Sequence, residues 1–247
     1  MDKSVFIREL IDAIKKKINL ELSEDLALKF YLYKNFLVEE NKKYNLTRIT
    51  DDREIIYKHF VDSLYILKYD FLYKIINNKK IIDVGTGAGF PGLPLAIMLD
   101  KSKFCLVDSL SKRINFLNKV IDLLKIKNVE TIHHRTEDLA QDKKYRENFD
   151  VVVSRAVANM SVLSELTLPF LKNGGSAVFY KLSDCNEELE KSKNSFKILG
   201  DCDIKKIDYD DILIENDALH SFIVVNKNKT IDKKYPRRAG SIEKNPL

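Results

Sequence analysis

The chain has 247 residues, 42 basic and 37 acidic side chains, a net charge of +5 and 45% apolar residues, enough for one large α/β core without covalent staples. Cys105, Cys185 and Cys202 are far apart and form neither a C-x-x-C pair nor a framework spacing, which argues against disulfides and zinc and for a reducing cytoplasm. No apolar run reaches 18 residues, and the charged start MDKSVFIRELIDAIKKK is not of signal-peptide type, so a soluble, cytoplasmic protein with no membrane partner is expected.

In chain order, apolar spacing predicts a helix from near Val5 to Ile18 and another from near Ser23 to Glu40, with Ser23 as N-cap. A third begins at Asp51. Glu54, three residues on, makes a capping-box-like start, and Ile55, Ile56, His59, Phe60, Leu64 and Leu67 share one stripe. Residues 1–72 therefore read as a helical segment. From Lys80 the texture changes to short β-type runs, IIDV, KFCLV, VETIH, FDVVV, SAVFYK, DIKKIDY and HSFIVV, alternating with helical stretches. Residues 73–226 are thus expected to form a doubly wound, mostly parallel, seven-stranded Rossmann-like sheet with helices on both faces, an α/β fold. Residues 227–247 form a basic tail, seven Lys and Arg against Asp232 and Glu243, which equals the whole net charge. It is either a frayed, solvated terminus or a strip that neutralises nucleic-acid phosphates, with Arg237 and Arg238 as candidates.

The sharpest local feature is the turn in IIDVGTGAGFPGLPLAI, residues 81–97. Ligands of open α/β sheets sit outside the carboxyl ends of the strands, and the first strand-to-helix turn lines that crevice. Gly85-x-Gly87-x-Gly89 follows Val84 directly. A dinucleotide fingerprint fits only as Gly87-x-Gly89-x-x-Gly92, two residues late, with Pro91 where the helix should present amides to a pyrophosphate. A glycine turn entered straight from the strand, with Asp83 at the strand end, suits a ligand that approaches the backbone but bears no phosphate; S-adenosylmethionine is such a ligand.

After the next strand comes Asp108, 23 residues beyond Gly85, where an acid can grip ribose hydroxyls. Dinucleotide enzymes use the same acid, so Asp108 indicates an adenosine ligand without choosing among them. Thr136, Glu137 and Asp138 follow the third strand and suit an adenine edge. For each carboxylate alone, a helix N-cap or a solvated turn is the competing explanation.

IDVGTGAGFPGLPLAI, VDSLSKRINFL, HHRTEDL and VVVSRAVANMSVLSELTLPFLKNGG, in this order, together with NKKYNLTRITDDREIIYKHFVDSL and YPRRAGSIEKNPL, resemble the bacterial small-subunit ribosomal RNA guanine-N7 methyltransferases, also called glucose-inhibited division protein B. The resemblance covers essentially the full length. It implies a helical segment on a methyltransferase sheet, S-adenosylmethionine as donor, and methylation of one guanine in the decoding-region loop of 16S RNA. The cofactor contacts it implies are Gly85, Phe90, Thr136 with Glu137, and Arg155. Thr136 stands where the family often has alanine, a change that leaves a backbone contact intact.

The residues agree with that chemistry. Methyltransferases of exocyclic amines carry an Asn/Asp-Pro-Pro-aromatic turn after the fourth strand, where this chain has Ser154-Arg155-Ala156-Val157, and no cysteine is placed for attack on a pyrimidine carbon. Guanine N7 already presents a lone pair and has no proton to lose, so no general base is expected and catalysis reduces to alignment. Arg155 is the residue expected to link the cofactor and RNA pockets; it can instead donate to guanine O6 or a phosphate, or pair with a structural carboxylate at the crevice lip. Lys112 and Arg113 can add phosphate contacts or simply start an exposed helix. His59 reads as a core histidine rather than a catalyst. His133, His134 and His220 show no metal spacing, so no metal is expected. A methyltransferase for a small molecule or protein, and a dinucleotide dehydrogenase or non-catalytic sensor, are the competing function classes. The expected partner is 16S RNA or the small-subunit particle, met by a monomer.

Overall fold

Polar caps start the first two helices where the sequence places them. Asp2 accepts from the Ser4 amide ahead of α1 (Lys3–Ile18), and Ser23 accepts from the Leu26 amide ahead of α2 (Glu24–Tyr44). In this computed structural model, which describes residues 1–209 and 219–247, Asp51 caps α3 (Asp52–Glu54) through the Arg53 and Glu54 amides. The chain then widens into a π-helix over Ile55–Val61 before α4 (Asp62–Leu64), a 3-10 turn over Tyr65–Lys68 and α5 (Asp70–Ile76). The predicted stripe is buried throughout, yet the π turn itself has no counterpart in the apolar spacing.

Seven strands follow: β1 (Lys80–Val84), β2 (Lys103–Asp108), β3 (Val129–His133), β4 (Phe149–Arg155), β5 (Leu171–Leu182), β6 (Asp203–Asp208) and β7 (His220–Asn226). Their order is β3-β2-β1-β4-β5-β7-β6. The first five are parallel, while β7 runs antiparallel to both β5 and β6. Strand order therefore reverses between β1 and β4, which puts the crevice at their carboxyl ends.

Period-two alternation splits the sheet residues between two layers. Ile81, Leu106, Val151 and Val178 pack with the N-terminal helices, α6 (Gly92–Met98) and α7 (Ser111–Leu124). Ile82, Val107, Val152 and Ala177 face the other way, with α9 (Met160–Thr167) and the C-terminal segment. The residues of 1–72 thus share a core with the sheet.

The C-terminal segment is packed against the sheet, and two of its basic residues, Lys227 and Arg237, are held by acids inside the protein, while Lys229, Lys233, Lys234, Arg238 and Lys244 stay exposed. Lys227 is fully buried, donating to Glu147 and the Leu171 carbonyl at 2.6 Å each. The Arg146 guanidinium donates to the carbonyls of Ile231, Asp232 and Tyr235. Ile231 and Ile242 fill apolar sites beneath. Burying backbone requires that its carbonyls find donors, and one arginine supplies three.

Candidate active site

The turn after β1 hangs from the end of β2, because the amides of Gly85 and Thr86 both donate to the Val107 carbonyl, at 2.9 and 3.0 Å. Gly85, Gly87 and Gly89 all have positive φ, 70°, 61° and 105°. At Gly87 an added Cβ would meet nothing within 4 Å, so its backbone lies open to the crevice.

Asp83 does not reach that crevice. It is fully buried beneath the turn, where Oδ2 accepts from Thr86 Oγ1 (2.7 Å) and the Gly92 amide (2.8 Å), while Oδ1 is buried without a partner. Burial pushes its carboxyl up to about 6. The expectation that Asp83 touches the cofactor is therefore corrected: it braces the turn from inside, since its neighbours Ile82 and Val84 point to the opposite layer.

Asp108 closes β2 with its carboxylate at the turn. Oδ2 accepts from the Gly87 amide at 3.0 Å, Oδ1 from the Leu110 amide at 2.9 Å, and Arg113 Nη1 lies 3.0 Å from Oδ2. The last contact sets the Arg113 guanidinium, a third of its side chain exposed, against Asp108. Lys112 is exposed, with its ammonium on the Tyr44 carbonyl at the end of α2. Thr136 and Glu137 open α8 (Thr136–Leu139) just past β3, half-buried, and the His134 amide donates to the Asp108 carbonyl. Three successive strand ends thus bring Gly85 to Gly87, Asp108 and Thr136 to Glu137 to one edge, as the sequence spacing predicts.

Phe90 is 5% exposed, so it is a wall and not a free stacking platform. Its ring stacks on His59 (4.3 Å between centroids) and on Tyr33 (5.5 Å), and Tyr33 donates to the Ala88 carbonyl. The N-terminal helices are thereby fastened to the glycine turn through aromatic contacts.

Arg155, at the end of β4, is met by residues 58–62 across almost a hundred positions of sequence. Nη1 donates to Asp62 Oδ2 (2.6 Å) and to the Lys58 carbonyl (2.9 Å), and Nη2 lies 3.3 Å from His59 Nδ1. Its Cζ is 5.2 Å from the Phe90 ring centroid. Asp62 also accepts from His220 Nδ1 (3.0 Å) and Tyr209 (3.3 Å). Although burial acts the other way, the His220 hydrogen bond and the Arg155 charge hold the Asp62 carboxyl below the ordinary carboxylate range. Burial and the Arg155 cation push the His59 imidazole down to about 3, so it is neutral. Beyond Arg155, on the β5 side, opens a cleft of about 1050 Å³ whose walls include Asp62, Asn159, Tyr180 and Lys181.

Asp62, Tyr209 and His220 are the members of this cluster that the sequence does not assign. The one signal was His59 and Asp62, three apart on an otherwise apolar stripe. The two tail arginines part ways: Arg237 clamps the fully buried Glu165, which corrects its expected RNA contact, whereas Arg238 is exposed.

A mixed seven-stranded sheet in which β7 runs antiparallel, with an open glycine turn after its first strand and an acid closing its second, is that of a Rossmann-like, S-adenosylmethionine-dependent methyltransferase, and these residues fit that donor: open space at Gly87, a carboxylate at Asp108, and a Gly92 amide at the start of α6 that is taken by Asp83 and not offered to a pyrophosphate. The fold is shared with the fibrillarin pre-rRNA processing protein of Methanococcus jannaschii (TM-score 0.50, 18% identity, 63% of this chain and 69% of that one). Residues 26–207 match the family described as rRNA small subunit methyltransferase G. Proteins named ribosomal RNA small subunit methyltransferase G are 50% identical over 240 residues in Clostridium beijerinckii, covering 97% of this chain and 98% of the relative, and 48% identical over 243 residues in Clostridium perfringens strain SM101, covering 97% and 99%. The chain belongs to the rRNA small subunit methyltransferase G family.

Proposed function

We propose that this chain methylates N7 of a guanine in the decoding-region loop of 16S ribosomal RNA, acting in the cytoplasm as a monomer on the RNA or the small-subunit particle. The near full-length identity to relatives bearing that family's name carries the reading.

S-adenosylmethionine, when bound, supplies a methyl group on a sulfonium. The glycine turn at Gly85 and Gly87, open at Gly87 and covered by Val157 at Gly85, would receive its amino-acid part, Asp108 its ribose hydroxyls, and Thr136 and Glu137 its adenine edge. Phe90 would wall the methyl side. Guanine N7 has an in-plane lone pair and loses no proton, so the protein need supply no general base. Its task is to hold nucleophile and methyl carbon in line, where orientation is worth roughly 7–11 kcal/mol in well-aligned systems. Arg155, between the glycine turn and the cleft, would orient the two partners. Arg238 and Lys112, both exposed, are the candidate phosphate contacts that the internal ion pairs leave over.

The test is to map N7-methylguanosine on 16S RNA from a strain lacking the gene and from the same strain complemented. The modification should vanish from one decoding-region guanine and return on complementation. Its persistence in the deletion strain would reject the reading.

A further inference from the structure

We propose that His59, held as the Nε2-protonated tautomer, is a positioning residue that fixes the guanidinium plane of Arg155 for methyl transfer, an inference that rests on the methyltransferase reading above.

The tautomer follows from what surrounds the ring. Arginine is only a donor, so the Nδ1 that faces Arg155 Nη2 at 3.3 Å presents its lone pair. The proton of the neutral imidazole then sits on Nε2, 2.9 Å from Thr47 Oγ1, which accepts it. Thr47 Oγ1 also accepts from the Ile49 amide at 3.1 Å, so the loop between α2 and α3 is locked to the same ring. Burial and the Arg155 cation outweigh the Asp62 carboxylate and the Lys58 backbone, which act the other way, and leave His59 neutral throughout the working range.

The consequence lies in the geometry of Arg155. Asp62 and the Lys58 carbonyl take the two Nη1 protons, which holds one corner of the guanidinium. A plane held at one corner still tilts. His59 Nδ1 takes one Nη2 proton and supplies the second corner, while its ring lies flat on Phe90 (interplanar angle 18°), so it cannot turn away. Nε–H and the remaining Nη2 proton have no hydrogen-bond partner among the described residues and are left for groups in the crevice. All three anchors come from residues 58–62, where the π turn gathers a carbonyl, an imidazole and a carboxylate on one side.

Two substitutions separate the roles of the ring. His59→Phe keeps a flat ring on Phe90 but removes the acceptor; His59→Asn restores an acceptor near the Nδ1 position but loses the stack. Both are to be compared with the wild-type chain for kcat and KM on 16S RNA, donor affinity by calorimetry and thermal melting. Imidazole 15N spectra of the wild-type chain without substrate, from pH 5.5 to 8, report the tautomer directly. The expected result is a single Nε2-protonated signal set for His59 across that range. With it, kcat should drop at least tenfold in His59→Phe with donor KM within threefold, and His59→Asn should recover kcat to within threefold of wild type. A near wild-type kcat in His59→Phe, a His59→Asn chain as slow as His59→Phe, or an Nδ1-protonated or doubly protonated His59 would each overturn the proposal. Should His59→Phe fail to fold, the His59→Asn rates and the spectra still decide. A wild-type chain that leaves RNA unmethylated would sink the functional reading alone, because the spectra judge the His59 to Arg155 arrangement without substrate.

Discussion

Arg237 grips Glu165 with both its backbone and its side chain: the amide and Nε reach Oε1 at 2.7 and 2.9 Å, and Nη2 reaches Oε2 at 2.6 Å. Glu165 is fully buried on α9, so the ion pair ties the C-terminal segment to the layer behind the sheet. Removing one partner of such a pair strands a charge in a poor solvent, at a cost of about 3–5 kcal/mol. Arg237→Ala should therefore lower the urea midpoint strongly while leaving the salt dependence of RNA binding, measured where the variant is folded, unchanged. A variant that melts like wild type but binds RNA with a shallower salt slope would return Arg237 to the RNA surface.

Two glycines of the same turn should fail in different ways. Gly87 has φ +61° and open space where a Cβ would stand, so Gly87→Ala should cost roughly 1–2 kcal/mol of stability through its left-handed backbone. The new methyl would occupy the donor's path, and calorimetry should find S-adenosylmethionine affinity down at least tenfold. At Gly92 the Cβ would lie 2.4 Å from Leu106 Cδ2 and 2.6 Å from Asp83 Oδ2. Gly92→Ala should accordingly destabilise the fold by roughly 1–3 kcal/mol through overpacking. Unchanged donor affinity in Gly87→Ala would contradict the first assignment, and a Gly92→Ala chain as stable as wild type would contradict the second.

Asp83 gives the fold a defined pH dependence. Its folded value of about 6 lies above the ordinary 3.8, so the folded state disfavours ionisation. The group contributes no penalty below pH 4, a growing one as pH rises from 4 to 6, and a full one above 6, on the order of 2–3 kcal/mol. Asp83→Asn removes the titration. The stability difference, variant minus wild type, should rise between pH 4 and pH 7 in urea melts, and a flat difference would show that the carboxyl titrates as it does in the unfolded chain.

The helix starts at Ser23 and Asp51 and the strand runs from IIDV to HSFIVV were legible because caps and alternation are local properties of neighbouring residues. The same holds for Gly87 and Asp108, whose spacing is fixed by one strand, one turn and one helix. Asp83 was misjudged for a reason that alternation contains: a carboxylate that points into the layer opposite Ile82 and Val84 cannot also face the crevice. The packing of the basic tail was not legible because composition counts charges without counting the partners, Glu147 for Lys227 and Glu165 for Arg237, that distant parts of the chain supply.

By itself, the sequence determined the order of elements, the glycine turn, the acid that closes β2 and, through resemblance, the family. Only the tertiary structure decided that Asp83 is buried beneath the turn while Asp108 stands at its edge, and that Arg155 is held by Lys58, His59 and Asp62. The physical reason is range: backbone geometry couples residues a few positions apart, whereas the charge state and orientation of a buried side chain depend on whichever groups packing brings within about 3 Å, however distant in sequence.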